Sequence, residues 1–333
     1  MKAIALLSGG LDSSLAVKLM LDQGIEVVAL HFTSPFCNCT PKKAGCGNQA
    51  HVIAHQLGVE IHTVAKGMDY LSIVKNPPHG HGRGMNPCID CRIYMLRKAR
   101  EMMPSFGASF VVTGEVLGQR PMSQRRDAIE LIERESGLKG LILRPLSAHL
   151  FPPSLPEQEG MVDREKLLSI SGRSRKTQID IAEKVGVTDY PCPAGGCLLT
   201  EPVIASRLRD LFTCMPDYAM TDIHLLRVGR HFRIQPALKV VLGRNEAENE
   251  RISRLTKPGY ALFTPANFNG PAALATGTTN DAEDRLIGEM IARYSKDSAN
   301  GYELQKEVAG GDVSTLRVED KLPREVIDGF QIG

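Results

Sequence analysis

"KAIALLSGGLDSSLAVKLMLDQG", Lys2 to Gly24, decides the fold. Its first part, "KAIALLS", is a short apolar run of strand length, and "LDSSLAVKLMLDQG" is a helical pattern that Gly24 ends. Between them the glycines of "SGGLDSS", Ser8 to Ser14, mark a strand-to-helix turn. Such a turn offers unpaired backbone N–H groups and the positive end of a helix to an anion. Gly9 and Gly10 let the backbone come close, and Ser8, Ser13 and Ser14 add hydroxyls. An ordinary Gly-rich turn has the same composition. A nucleoside-triphosphate P-loop would need a lysine near its end, and Leu-Asp-Ser stands there instead. The cradle therefore suits a pyrophosphate group that leaves as a unit while AMP is transferred, with Asp12 as the holder of Mg2+.

The same alternation continues outward. "IEVVALHF", "VEIHTVA", "SFVVTGE" and "GLILRPL" read as strands, and "NQAHVIAHQLG", "CRIYMLRKAREMM" and "RKTQIDIAEKVG" as helices. Strands alternating with helices imply right-handed crossovers and a doubly wound, mostly parallel α/β sheet. Ligands of such sheets bind beyond the carboxyl ends of the strands, where Ser8, His31 and Thr113 fall. Past Thr200 the pattern changes to a helix, "PVIASRLRDLF", and short strands, "HLLRVGRHFRI", "ALKVVLG" and "YALFTP". We expect a first domain over residues 1–200 and a smaller α+β domain over 201–333.

The chain has 333 residues, a net charge of +2 and an ordinary globular composition, enough for two cores. No apolar run is long enough for a membrane helix, and Ala3 to Leu7 is too short for a signal peptide, so no membrane partner and a cytoplasmic location are expected. Eight cysteines in a reducing compartment favour metal or sulfur chemistry over a disulfide framework. They fall as Cys37, Cys39 and Cys46, then Cys88 and Cys91, then Cys192 and Cys197, with Cys214 alone. The C-x-x-C pair reads equally as half of a zinc site, which needs four ligands, or as a buried pair. Three thiolates around an iron–sulfur cluster would leave one iron open to hold a sulfide.

"SGGLDSS" is similar to the PP-loop signature of the ATP pyrophosphatase superfamily. "LHFTSPF" (Leu30 to Phe36), "TGEVLGQRPMSQ" (Thr113 to Gln124), "ILRPL" (Ile142 to Leu146) and "IDIAEKVGVTDY" (Ile179 to Tyr190) resemble, in the same order, the tRNA 4-thiouridine synthases. "NPCIDC" and Gly195-Gly196-Cys197 echo the "NPD-x-x-C" and "G-x-C" segments of the tRNA 2-thiouridylases. The resemblance implies an ATP-dependent tRNA sulfurtransferase that adenylates a uridine carbonyl oxygen and replaces it with sulfur, 4-thiouridine being favoured. It assigns ATP to Ser8, Gly9, Gly10, Asp12, Ser13 and Ser14, bordered by His31, Phe32 and Gly114. It implies a [4Fe-4S] cluster on Cys88, Cys91 and Cys197, with Cys192 the alternative ligand or a persulfide carrier, so that Asp12, Cys192 and Cys197 carry the chemistry. The sulfur donor would be sulfide or the persulfide of a cysteine desulfurase. The synthases place an RNA-binding region ahead of the PP-loop and some a rhodanese-like domain behind; here the RNA grip and sulfur delivery are expected from elsewhere. A PP-loop enzyme acting on a small molecule, and a non-catalytic metal-containing RNA-binding protein, are the competing readings.

Residues 201–333 are not basic overall, with 17 Lys and Arg against 19 Asp and Glu. Charge is concentrated, however: Arg227, Arg230, Arg233, Lys239, Arg244, Arg251, Arg254 and Lys257 oppose only Glu246, Glu248 and Glu250, a local excess of five. That suits phosphate contacts. "RVGRHFRI" and "KVVLGRNEAENERI" resemble the NFACT RNA-binding domain, which implies a tRNA grip; a dimerisation domain, and with it a homodimer, is the alternative. "HGHGRG" is expected to be a mobile cover with Arg83 on phosphate rather than a His79/His81 metal site. Lys42, Lys43 and Arg92 are further candidates for RNA phosphates. Cys37, Cys39 and Cys46 read as a second metal site, a sulfur relay or unconnected loop thiols, and Cys214 as a packed or surface thiol.

Overall fold

The computed structural model describes residues 1–37, 46–187, 197–311 and 313–333, the side chains of 46–48 excepted. The chain forms two compact units, Met1–Thr200 and Glu201–Gly333. No helix among the described residues is long and apolar enough to cross a membrane.

The first unit runs β1 (Lys2–Leu6), α1 (Leu11–Leu21), β2 (Glu26–Thr33), α2 (Cys46–Leu57), β3 (Glu60–Ala65), α3 (Met68–Lys75) and α4 (Cys88–Phe106). It continues with β4 (Phe110–Thr113), α5 (Arg126–Ser136), β5 (Ile142–Leu143), α6 (Leu155–Gln158) and α7 (Lys176–Lys184). The five strands are all parallel and lie in the order β3-β2-β1-β4-β5. The expected doubly wound sheet is present. Its cause is visible in β1, where successive side chains point to opposite faces. Ala3 and Ala5 join one core with Val17, Met20, Val27 and Ile53, while Ile4 and Leu6 join another with Ile93, Leu96 and Ile132. Both faces are apolar, so both need helices over them. Burying each such aliphatic side chain contributes about 1.5–3 kcal/mol. "GLILRPL" gives a strand of only Ile142–Leu143, because Pro145 interrupts the ladder soon after.

The second unit runs α8 (Pro202–Cys214), α9 (Met220–Leu225), β6 (Arg230–Gln235), β7 (Leu238–Leu242), α10 (Glu246–Ser253), β8 (Tyr260–Pro265) and β9 (Ala273–Thr276). Then come α11 (Asp281–Arg293), β10 (Tyr302–Val308), β11 (Val313–Val318) and α12 (Arg324–Phe330). Its six-stranded antiparallel sheet has the order β11-β10-β8-β9-β7-β6, an α+β arrangement as expected. Part of "HLLRVGRHFRI" departs from the strand reading: His224 and Leu225 close α9, and the strand begins at Arg230.

Candidate functional site

The turn after β1 is built from its own residues. Gly9 has φ +77°, and a β-carbon there would stand 2.7 Å from the Ala50 nitrogen of α2. Only glycine permits both that conformation and that approach. The Ser13 and Ser14 hydroxyls donate to the Gly10 carbonyl at 2.8 and 3.0 Å, and the Ser8 amide reaches the Ser13 hydroxyl at 3.2 Å. Ser14 is fully buried. These serines hold the turn in shape from within. No side chain caps the start of α1, which leaves first-turn amides for an anion.

Asp12, in that first turn, is the centre of a polar cluster. Its Oδ2 accepts from Gln119 Nε2 at 2.8 Å and from Arg175 Nη2 at 3.2 Å. Its Oδ1 is enclosed and has no hydrogen-bond partner. A carboxylate oxygen left in that state is suited to a cation, so the residues present fit Mg2+ at Asp12. Gly114 packs on this turn: a β-carbon there would lie 2.5 Å from the Asp12 carbonyl carbon and the Ser13 nitrogen. His31, at the end of β2, is buried, and its Nδ1 lies 3.0 Å from the Leu7 carbonyl. Burial lowers its pKa, the Leu7 bond opposing it, so the ring is neutral and Nδ1–H donates to that carbonyl. Phe32, next in the strand, is half-buried.

The cysteines converge because the backbone stitches their segments together. The Leu198 amide bonds to the Phe36 carbonyl at 2.9 Å, and the Met85 amide to the Leu199 carbonyl at 2.8 Å. Gly84, at φ +70°, lies so close that a β-carbon would be 2.3 Å from the Leu199 carbonyl oxygen. Thus the segments ahead of Cys88, after β2 and after Cys197 form one knot. Cys88, Cys91 and Cys197 interact electrostatically with one another but differ in character. Burial raises the Cys91 thiol, yet the Lys66 ammonium, at 3.0 Å from its Sγ, and the Tyr70 hydroxyl outweigh it and bring the pKa below that of an ordinary cysteine. Burial raises Cys88, and it pushes Cys197 up to about 11. Cys91 is therefore the most acidic of the three thiols.

Among the described residues no group of three or more His, Cys, Asp or Glu is arranged to hold a metal ion. The three thiols are the right donors for a cluster, but an ammonium occupies the space at Cys91 Sγ, and the assembled set does not close a site. Cys39, Cys192, Lys42 and Lys43 lie outside the described residues, as does the side chain of Cys46. Cys37, Cys88, Cys91, Cys197 and Cys214 are in no disulfide. Cys214 ends α8 in the second unit, with Asp210 as neighbour.

A buried ionic chain joins the two halves of the site. Glu115 is 1% exposed; it meets Arg92, next to Cys91, at 3.4 Å and Arg144, of "ILRPL", at 3.1 Å. Burial would neutralise it, but the two guanidinium groups outweigh that and hold its pKa below the usual carboxylate value. Arg92 is thus engaged within the protein. The "HGHGRG" loop, expected to be a mobile cover, is tied down: His79 Nδ1 lies 2.7 Å from buried Asp90, His81 Nε2 2.7 Å from the Val74 carbonyl, and the Gly82 amide 2.8 Å from the Asn86 carbonyl. The two histidines turn to these partners rather than to a shared metal.

Lys66, Tyr70, Gln119, Arg120 and Arg175 are site residues that the sequence reading did not single out. Lys66 follows the end of β3, where the strand-end rule could have found it, and Arg175 lies in the Gly/Ser/Arg stretch "SGRSRK". In the second unit the local excess of positive charge is smaller than the sequence count. Arg233 and Lys239 both pair with Asp210, Lys257 with Asp222, Arg244 with Glu248 and Arg254 with Glu250. Asp210 and Asp222 come from α8 and α9, outside the counted stretch.

Residues 1–149 match the family model of the thiamine biosynthesis protein (ThiI), and residues 229–328 that of the NFACT protein RNA binding domain. A probable tRNA sulfurtransferase of Methanosarcina mazei is 32% identical over 35% of this chain and 29% of its own length. A tRNA-specific 2-thiouridylase MnmA of Pelobacter propionicus is 32% identical over 34% of this chain and 33% of its own. A probable tRNA sulfurtransferase of Thermococcus kodakarensis is 28% identical over 56% and 41%. The chain therefore spans less than half the length of these curated relatives. A 4-thiouridine synthetase solved with RNA and ATP has a TM-score of 0.39 and 20% identity, covering 65% of this chain and 51% of that one. The first unit is thus similar over residues 1–149 to the ThiI family model, and the second over residues 229–328 to the NFACT RNA binding domain.

Proposed function

We propose that this protein is an ATP-dependent tRNA sulfurtransferase that adenylates a uridine of tRNA and exchanges its carbonyl oxygen for sulfur. One observation carries the reading: a turn with an unpartnered Asp12 oxygen stands on the same sheet edge as Cys91, whose thiol Lys66 makes more acidic than its neighbours Cys88 and Cys197. Phosphate chemistry and sulfur chemistry are adjacent, and Glu115 bridges them. In the first step the uridine oxygen bonds to the α-phosphorus, and the bond to the β-phosphate oxygen breaks. Pyrophosphate leaves with that electron pair, held by the α1 amides, and Asp12 would hold the Mg2+ that neutralises it. His31, Phe32 and Gly114 border the nucleotide. In the second step a sulfur nucleophile adds to the activated ring carbon and AMP departs with the original oxygen. Holding base, nucleotide and sulfur together supplies much of the acceleration.

Cys88, Cys91 and Cys197, with Cys192, handle the sulfur. The described thiols do not close a cluster site, so the route is a persulfide. A cysteine desulfurase passes its outer sulfur to Cys197 or Cys192, and that sulfur adds to the activated ring carbon. A second thiol such as Cys91 then attacks the carrier sulfur, so that the S–S bond breaks. The ring keeps the transferred sulfur, and the protein is left with a disulfide that an external thiol reduces. The likeness of Leu30 to Phe36 and of Thr113 to Gln124 to the 4-thiouridine synthases favours position 4 of the ring, and the second unit, like the NFACT RNA binding domain, is the grip on tRNA. The reading is tested by mass spectrometry of tRNA nucleosides from cells lacking the gene. Loss of 4-thiouridine, restored by the wild-type gene but not by Asp12→Ala, is expected. An unchanged nucleoside profile would point instead to a small-molecule substrate.

A further inference from the structure

Arg175 sits at Asp12 by construction. The "SGRSRK" segment is fixed against "TGEVLGQ" through the bridge of Ser171 to Leu117 and the 2.7 Å bond from the Gly172 amide to the Leu117 carbonyl. Gly118 also packs on this segment, a β-carbon there standing in ordinary contact at 3.6 Å from the Gly172 nitrogen. Gln178, two residues into the following helix, donates to Gln119 Oε1 at 3.3 Å, and Gln119 in turn donates to Asp12. Arg175 and Gln119 therefore share one oxygen of Asp12 and leave the other without a partner.

The charges around that carboxylate are out of balance. Arg120 interacts electrostatically with Arg92, Cys88, Asp12 and Arg175, and Arg92 already belongs to Glu115. Arg175 in contact, Arg120 in electrostatic reach and a helix start thus surround the single carboxylate of Asp12. Like charges so placed call for a further anion. A planar guanidinium fork matches two phosphate oxygens, and Arg175 is one ion pair away from the amides that would receive them.

We propose that Arg175 is a pyrophosphate-binding residue that Asp12 holds in reserve. Without nucleotide it pairs with Asp12; when Mg2+ takes the carboxylate, Arg175 transfers to the β- and γ-phosphates of ATP and stays on pyrophosphate as it leaves. The inference rests on the nucleotide reading of this site. It explains why a residue far along the chain is fixed to the PP-loop, and it gives the released pyrophosphate a cation that belongs to the protein.

The test is titration calorimetry of the full chain with ATP, AMP and inorganic pyrophosphate, each with Mg2+. Arg175→Ala should weaken ATP and pyrophosphate by about tenfold or more, the size of one charge-assisted contact, and leave AMP unchanged, since AMP lacks the contacted phosphates. Arg175→Lys should fall between. Equal weakening of ATP and AMP would mean that Arg175 only shapes the turn, and unchanged ATP binding would remove it from the phosphates; either overturns the proposal. With Mg2+ chelated, Asp12→Asn should strengthen ATP binding when Arg175 is present and not when it is alanine. A gain that survives Arg175→Ala contradicts the reserve pairing. Wild-type protein that binds no ATP would instead overturn the nucleotide reading beneath it.

Discussion

Gly114 and Asp12 touch: a β-carbon on Gly114 would lie 2.5 Å from the Asp12 carbonyl carbon and 2.6 Å from its oxygen. The end of β4 is thereby the floor on which the phosphate turn rests. Gly114→Ala must push the turn away, at a cost of about 1–3 kcal/mol of overpacking. The expected outcome is a lowered midpoint of unfolding together with a loss of ATP affinity, measured on the same preparation. Retention of both would show that the turn yields freely.

Cys91 is expected to be the reactive thiol. In metal-free protein at pH 7, where its lowered pKa gives more thiolate than Cys88 or Cys197, iodoacetamide should label Cys91 first, since the thiolate is the nucleophile. Lys66→Met removes the ammonium at 3.0 Å and should slow that labelling. Peptide mass spectrometry over a time course decides the order. Faster labelling of Cys197 would contradict the assignment.

His231 predicts an acid sensitivity of the second unit. It is fully buried, Nε2 lies 2.8 Å from the Val228 carbonyl, Nδ1 has no hydrogen-bond partner, and burial places its pKa well below 6.5. Below pH 6.5 the unfolded chain binds a proton that the folded chain does not, so stability present at pH 7 is lost as pH falls. The slope approaches about 1.4 kcal/mol per pH unit. Urea unfolding of wild type and His231→Gln should show their difference shrinking between pH 7 and pH 5. A constant difference would mean that His231 titrates alike in both states.

Removing residues 201–333 should abolish tRNA binding and leave ATP binding in residues 1–200. Because many basic residues of the second unit are engaged by Asp210, Asp222, Glu248 and Glu250, single substitutions of the paired ones should matter less than their number suggests. Filter binding across a salt series reads both outcomes. Undiminished tRNA affinity in the truncated chain would place the grip elsewhere.

Much of the first unit was legible because its signals are local. Glycine at Gly9, an apolar run before it and a helical period after it state a strand, a turn and a helix in residues that touch one another. The Cys88/Cys91 spacing is equally local. The knot that brings Cys197 to them is not, because the bonds from Leu198 to Phe36 and from Met85 to Leu199 are backbone bonds with no side-chain signature. Lys66 and Arg175 look like any surface charge until the fold places them at Cys91 and Asp12. In the second unit β7 and β9 are buried on both faces: Val240 and Ala273 enter one core, Val241 and Leu274 the other. β7 carries the β-branched pair Val240-Val241 and reads as a buried strand, whereas β9 is only Ala273–Thr276, too short and alanine-rich for its apolar run to tell strand from helix. The basic stretch was overstated because its counter-charges, Asp210 and Asp222, come from helices outside the window that was counted.

The central claim joins adenylation to sulfur transfer in one chain, and a single reaction tests it. Purified protein is incubated anaerobically with unmodified tRNA, a cysteine desulfurase and cysteine, a thiol reductant, Mg2+ and ATP labelled in the α-phosphate, and both nucleosides and nucleotides are analysed. The account predicts one AMP and one pyrophosphate for each 4-thiouridine formed, with no product when tRNA is omitted or Asp12 is replaced by alanine. ADP and phosphate in place of AMP and pyrophosphate, or AMP released without any thiolated nucleoside, would contradict it.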